Sequence, residues 1–386
     1  MRHHPTVFDT LLKEIPWGVF DRLVDAHRND RGVRSFSSRD HLITMLGAAL
    51  GGLHGLRQTV AGLKPGDGAL KLAGSHAPRR STLADANERR SHKPFFHLLQ
   101  ATVPCAHRTL RRDMGEMVRL IDSTQINLGL RMKRWIGLHR NEPTAKIHVV
   151  HDPRADRPVY FDLTSARVND ITVAKQRLPI EPGATYVFDL GYYDFGWWAA
   201  LRDQGCRFVT RLKTFTRLRK ISDRPVAKGG VVLEDRTGLL PERMAASRHN
   251  PFDSVGREVT ICISTGRTLR LFTNDLTSPA EEIAELYKER WQVELFFKWI
   301  KQNLRIDKFM GTSENAVRIQ IATAMIAYLL VRIAQTKNAI TKPASIVLTV
   351  IRGQLFTRKS LAHLIDPPTP EEREPDPQLL LFGRTI

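Results

Sequence analysis

The stretch Tyr287-Lys-Glu-Arg290-Trp291-Gln-Val-Glu294-Leu-Phe-Phe-Lys298-Trp-Ile-Lys301 decides how the rest of this chain is read. At about 100° per residue, Tyr287, Arg290, Glu294 and Lys301 fall within roughly 60° of one another on a helical wheel. Leu286, Val293, Phe296, Phe297, Ile300 and Leu304 gather on another side, the natural core face. One face therefore packs, and another presents a carboxylate flanked by a phenol and two cations. A carboxylate holds a divalent metal and cations hold phosphates, so the pairing points to phosphodiester chemistry.

The composition agrees. The chain has 386 residues, of which 42% are hydrophobic, and a formal net charge of +19. That length suits two or three domains with a sizeable core. The positive excess favours a polyanionic partner. A basic membrane-surface protein is the alternative, but no lipidation motif is present, and the opening Met1-Arg-His-His-Pro5 lacks the apolar segment of a signal peptide. The longest apolar run, Ile319 to Ala334, is broken by Gln320, Thr323 and Arg332. It reads as a buried core helix and not as a membrane span. Cys105, Cys206 and Cys262 are far apart and odd in number, which fits reduced, structural thiols of a cytoplasm and no zinc site.

Along the chain the texture changes several times. Residues 1–105 read as helical and basic, a candidate DNA-end-binding domain with cations that include Arg89 and Arg90. Ser37 or Ser38 is placed to cap a helix through His41–Leu50, and Ser81 one over 82–90. The bland reading of this region is a helical bundle with a solvated basic surface. From 115 to 212 the pattern is of strands: 117–122, 146–151, 158–163, 185–189 and 206–212, with helices near 173–178 and 194–203. Two hairpin-like strands, a strand–helix–strand unit and a later helix imply an α/β fold with a ribonuclease-H-like mixed sheet. Residues 213–275 read as a β-rich insertion before the glutamate helix, which itself occupies 276–310. The cations Arg217, Arg219 and Lys220 at its start suit a groove along a phosphate backbone, although such runs are often only solvated. A C-terminal helical region spans 311–365, and the acidic, proline-rich 366–386 reads as a disordered tail.

Three acids stand out. Asp122 and Asp189 each close an apolar run, and Glu294 sits on the helix quoted above. Two-metal phosphoryl chemistry needs such acids to converge, because their charge holds two Mg²⁺ ions about 4 Å apart. Singly, each has a plainer explanation: an Asp that caps a turn, or a Glu paired at i,i+4 with Arg290 or Lys298. No nucleophile elbow or Cys/His pair offers a covalent route. Trp291 is a stacking candidate, or a packed core residue.

The spacing Tyr-x2-Arg-x3-Glu-x6-Lys resembles the signature of the insertion-sequence-four family of DDE transposases. Leu120-Ile-Asp122-Ser-Thr is similar to that family's first-aspartate strand. Tyr186-Val-Phe-Asp189-Leu-Gly-Tyr-Tyr-Asp194 resembles its D-x-G-Y segment, with Leu190 where arginine is common. Leu271-Phe-Thr-Asn274 and Ile283–Arg290 resemble the approach to its glutamate. The likeness covers roughly residues 115–335, and Ser81–Arg90 resembles the N-terminal helical region of one bacterial branch. The resemblance implies Asp122, Asp189 and Glu294 as the metal triad, with Mg²⁺ as cofactor and Mn²⁺ as its substitute. It implies Tyr287, Arg290 and Lys301 at the DNA end, with Lys298 and Trp291 beside them. It also implies cut-and-paste transposition through nick, hairpin and strand transfer, by a homodimer on the terminal inverted repeats and target DNA, in the bacterial cytoplasm at the nucleoid. Two rivals remain at this point: a nuclease or resolvase that does not join, and a catalytically silent DNA-binding derivative.

Overall fold

The structure, a computed structural model, describes residues 5–110, 116–132, 136, 143–245, 248–263, 265–304, 306 and 308–366. The expected disordered tail lies, apart from Asp366, outside the described residues.

Alternating apolar residues and β-branched side chains build β1 (Val118–Asn127), β2 (Thr144–Asp152) and β3 (Arg157–Ser165), an antiparallel meander. Two short strands, β4 (Thr185–Val187) and β5 (Arg207–Arg211), then add in parallel beside β1. Parallel neighbours need crossovers, and helices supply them. Helix α8 (Asp170–Gln176) precedes β4, and α9 (Phe195–Asp203) joins β4 to β5. The strands β6 (Arg219–Asp223), β7 (Val232–Leu239), β10 (Gly256–Cys262) and β11 (Thr268–Thr273) continue the same sheet, while β8 (Arg243–Ala245) and β9 (Arg248–His249) form a separate two-stranded pair. The nine-stranded order is β3-β2-β1-β4-β5-β11-β10-β7-β6. Residues 213–275 therefore do not stand apart as a module: β11 pairs with β5 and welds the segment to the sheet.

The pleat sorts side chains between two cores. Val118, Leu120, Val187 and Val209 face one side, with Ile283, Val293 and Ile300. Ile121, Tyr186, Phe188 and Phe208 face the other, against Trp197 and Trp198 of α9.

Among the described residues, seven α-helices precede the sheet: α1 (Val7–Leu12), α2 (Trp17–Ala26), α3 (Ser38–Gly51), α4 (Leu56–Leu63), α5 (Asp67–Leu72), α6 (Arg80–Arg89) and α7 (Lys93–Leu110). Ser37 caps α3 in a capping box with Asp40. Ser81, expected as a cap, lies inside α6, whose N-cap position is Arg79. Among the described residues, five helices follow: α10 (Ala280–Glu289), α11 (Trp291–Asn303), α12 (Glu314–Lys337), α13 (Ala344–Gln354) and α14 (Leu361–Ile365). Among the described residues, α12 is the one helix long and apolar enough to cross a membrane, but 89% of its apolar window is buried inside the protein. It packs against α3, α6, α7 and α13. The N-terminal helices thus share a core with the C-terminal ones.

Two element boundaries differ from expectation. Asp122 lies mid-strand, because β1 runs on through Ser123–Asn127, paired residue for residue with β2. The single helix expected over 287–301 is two, α10 and α11, which meet at Arg290. Arg290 N–H donates to the Tyr287 carbonyl and Val293 N–H to the Arg290 carbonyl, each at 3.2 Å, so the join tightens to i→i−3 bonds.

Candidate active site

Strand register brings the two aspartates together. Leu120 lies opposite Val187 in the parallel β1–β4 pair, and Val187 opposite Val209 in β4–β5. Two residues further on, on the same face, come Asp122, Asp189 and Arg211. Neighbouring strands are about 4.8 Å apart, so these three side chains form a row across the end of the parallel strands. Asp189 follows the end of β4, where its carboxylate accepts the Gly191 N–H at 2.8 Å and opens a 3₁₀ turn at Leu190. A Cβ on Gly191 would stand 3.0 Å from Asp189 Oδ1, so a larger residue there would press on that carboxylate.

Helices α10 and α11 lie over that row, α10 against β5 and α11 against β1. The core face is as the wheel predicts, with Leu286, Val293, Phe296, Phe297, Ile300 and Leu304 all buried. The other face meets the aspartates. Arg290 spans two acids, with Nη1 3.3 Å from Asp122 Oδ2 and Nη2 2.7 Å from Glu294 Oε1. Its Nε is buried without an acceptor. Lys301 Nζ donates to Thr124 Oγ1 at 2.6 Å. Tyr287 is buried, its ring 5.8 Å from the Arg290 guanidinium carbon. Burial raises the Tyr287 hydroxyl above its usual range, while the cations Arg290 and Arg211 oppose it.

Burial likewise pushes the Asp122 carboxyl up to about 7. The Asp189 and Glu294 carboxylates add to the rise, and the Ser123 N–H and Arg290 resist it. A carboxyl that ionises so reluctantly gains from a nearby cation, and the guanidinium is the cation present. Asp122, Thr124, Glu294, Lys298 and Lys301 line an open cleft of about 490 Å³. Among the described residues, no three His, Cys, Asp or Glu side chains stand close enough together to hold a metal ion. The donor set nonetheless suits a hard divalent ion: the Asp122 and Glu294 carboxylates already share one positive charge, and Asp189 lies in the neighbouring row.

Apart from Lys298, which lines that cleft, the remaining expected residues scatter. Trp291 and Lys298 are exposed on α11; the packed tryptophan of this helix is Trp299, against Tyr328. Arg217 is exposed in the loop after β5. Arg219 and Lys220 sit on edge strand β6, five strand positions beyond β4 and so roughly 24 Å away. They pair with Glu242 at 3.7 Å and Asp223 at 2.8 Å. Arg89 is exposed and lines a cleft with Arg28, Arg31 and Arg34. Arg90 is a correction. It is only 8% exposed and donates to the carbonyls of Phe36 and Ser37, so it ties α6 to the start of α3 and cannot reach DNA.

Sequence reading missed Thr124, and it weighed Asp170 only as an acid competing with the triad. Thr124, two residues after Asp122, shares its face and receives Lys301. Asp170, at the start of α8, accepts Ser123 Oγ–H at 2.8 Å and lies within 3.1 Å of Lys146, behind the Asp122 strand. The two-residue repeat of a strand could have found Thr124; the Asp170 contact joins segments 47 residues apart and leaves no local signal.

A family model described as the transposase DDE domain matches residues 113–330, more than half of the chain. The chain belongs to the DDE transposase family. A protein of Sinorhizobium fredii named as a transposase is 39% identical over 305 residues, 78% of this chain and 84% of that one. A transposase for an insertion sequence element of Geobacillus stearothermophilus is 31% identical over 67% of this chain and 69% of its own length. A domain of unknown function, DUF4372, matches residues 3–76 of this transposase. Among solved structures, it resembles a piggyBac transposase synaptic complex with hairpin DNA at 10% identity and TM-score 0.47, over 95% of this chain and 82% of that one.

Proposed function

We propose that this transposase moves an insertion sequence of the insertion-sequence-four type by cut-and-paste chemistry, with Asp122, Asp189 and Glu294 as the ligands of two Mg²⁺ ions. The observation that carries the reading is the Arg290 bridge, which joins Asp122 to Glu294 over the row that includes Asp189. The order β3-β2-β1-β4-β5, antiparallel then parallel, supports a ribonuclease-H-like core. Bound Mg²⁺ would activate the attacking hydroxyl and stabilise the leaving oxygen. The protein's own groups do the rest. Glu294 and the two aspartates hold the charge in place. Arg290 offers a planar fork to a phosphate. Lys301, held at Thr124 one strand away from Asp189, supplies a point charge along the same backbone. Tyr287 walls the site from the Asp189 side. The DNA ends are the terminal inverted repeats, brought together by a homodimer, and Mn²⁺ substitutes for Mg²⁺.

The test is cleavage of a duplex that carries the element's end. Asp122→Asn, Asp189→Asn and Glu294→Gln are each expected to lose more than about 100-fold in nicking, beyond the loss typical of outer-shell changes, while end binding in Ca²⁺ is retained. Joined products with a target plasmid separate transposition from hydrolysis alone. Unchanged nicking in Asp189→Asn would remove the triad, and nicked but never joined DNA would favour the nuclease.

A further inference from the structure

Directly after Arg211 the chain makes a tight loop, Leu212-Lys213-Thr214-Phe215-Thr216-Arg217. Phe215 at its tip is 78% exposed, more than any other large apolar side chain among the described residues. An exposed phenylalanine on a mobile loop would mean little, but this loop is held. Arg270 of β11 donates through Nη1 to the Lys213 and Thr214 carbonyls, each at 3.1 Å, and through Nη2 to the Thr216 carbonyl at 2.9 Å. Arg270 is itself anchored on the buried Glu258 carboxylate. The Thr216 hydroxyl bonds the Tyr193 hydroxyl at 2.6 Å, and Thr216 N–H closes the turn on the Lys213 carbonyl. One guanidinium thus holds three carbonyls of a single loop, and the fixed backbone holds an apolar ring out in water.

The position of the loop gives the ring a purpose. It leaves β5 at the same end of the sheet at which Asp189 leaves β4, and Tyr193, four residues after Asp189, is its anchor. Lys213 Nζ lies 4.3 Å from the centre of the Tyr193 ring and 5.9 Å from that of Phe215. Arg217 is exposed on the other flank. A solitary aromatic between two cations matches neither a lipid surface nor an apolar protein groove. It matches a partner that alternates flat apolar faces with negative charge, and a nucleic acid strand does so.

We propose that residues 213–217 form a rigid stacking finger, on which Phe215 receives an unpaired base of the DNA held at Asp122, Asp189 and Glu294, while Lys213 and Arg217 hold the flanking phosphates. The proposal rests on the transposase reading above and extends it. Because the loop is already ordered, binding costs little entropy at the finger. Stacking needs a base free of its partner, so the finger selects distorted or open duplex over intact duplex.

The experiment measures binding by fluorescence anisotropy in Ca²⁺, with two versions of one end duplex: fully paired, and carrying a single unpaired base beside the cleavage position. Phe215→Ala is expected to lose on the order of 10- to 100-fold in affinity for the unpaired version and little for the paired one. Phe215→Trp should retain the preference, with its indole emission quenched on binding. An equal affinity of Phe215→Ala and the parent chain for the unpaired duplex would overturn the finger. So would a Phe215→Ala chain that turns monomeric in sedimentation while it binds both duplexes normally, since the ring would then belong to a second copy. Failure of the parent chain to bind either duplex would sink the transposase reading itself, a different result.

Discussion

At the residue scale, the site turns on Arg290. Its guanidinium lies between Asp122 and Glu294. With these acids as the proposed metal ligands, cation and metal would compete for the same carboxylates. Arg290→Gln removes the competitor, so Mn²⁺ binding without DNA should tighten, by several-fold in calorimetric titration. The same change removes a charged donor to phosphate, a contact worth about 1.5–3 kcal/mol, so affinity for the DNA end should fall about 10-fold or more. Weaker Mn²⁺ binding in Arg290→Gln would mean that the arginine orders the site instead of filling it. The sequence shows much at this scale. Tyr287, Arg290, Glu294 and Lys301 share a helix face, and that face does meet Asp122 and Thr124. What it hides is which cations are committed elsewhere. Arg89 and Arg90 look alike in sequence, yet one faces solvent and the other is spent on two backbone carbonyls.

At the element scale, the helices of the N-terminal region are locked by a buried pair. His41 of α3 lies 2.8 Å from the Asn87 carboxamide oxygen of α6 and is fully buried. Burial, helped by the Arg90 charge and opposed by the Asn87 hydrogen bond, lowers His41 from its usual 6.5 to about 3. The folded chain thus keeps His41 neutral where the unfolded chain would protonate it. Its contribution to stability is complete above pH 6.5 and is lost as the pH falls toward 3, by up to about 1.4 kcal/mol per pH unit. His41→Gln keeps a hydrogen-bonding group without the titration. Chemical denaturation at pH 7, 6 and 5 should show a shallower loss for the variant, and parallel losses would contradict the burial argument. Element types were readable from periodicity, and their ends less so. β1 outruns Asp122 because β2 pairs with every residue to Asn127. No Gly or Pro near Arg290 announces the break between α10 and α11. On either side of it, α10 packs on β5 and α11 on β1.

At the scale of the whole molecule, the feature hardest to foresee is the continuity of the sheet. β5 and β11 pair although residues 212–267 intervene, and no local pattern encodes so distant a ladder. That pairing has a functional consequence. It places Arg270 of β11 under the loop after β5, at the end of the sheet where Asp189 leaves β4. The shared core of the N-terminal helices with α12 is equally non-local. It joins the region that matches a domain of unknown function to the same face of the sheet as Leu120, Val187 and Val209. The charge of +19, by contrast, is plain in the composition and needs no structure to imply a polyanion.

The claim on which the rest depends is that Asp122, Asp189 and Glu294 form one metal centre. Electron paramagnetic resonance of Mn²⁺, titrated into the chain with an end duplex present, tests it most directly, and Asp189→Asn is the sharpest variant because the amide oxygen can still accept the Gly191 N–H. The account predicts two tightly bound ions per chain in the parent protein, with at least one lost or weakened by about 10-fold or more in Asp189→Asn. Two ions bound with equal affinity in both proteins would contradict it.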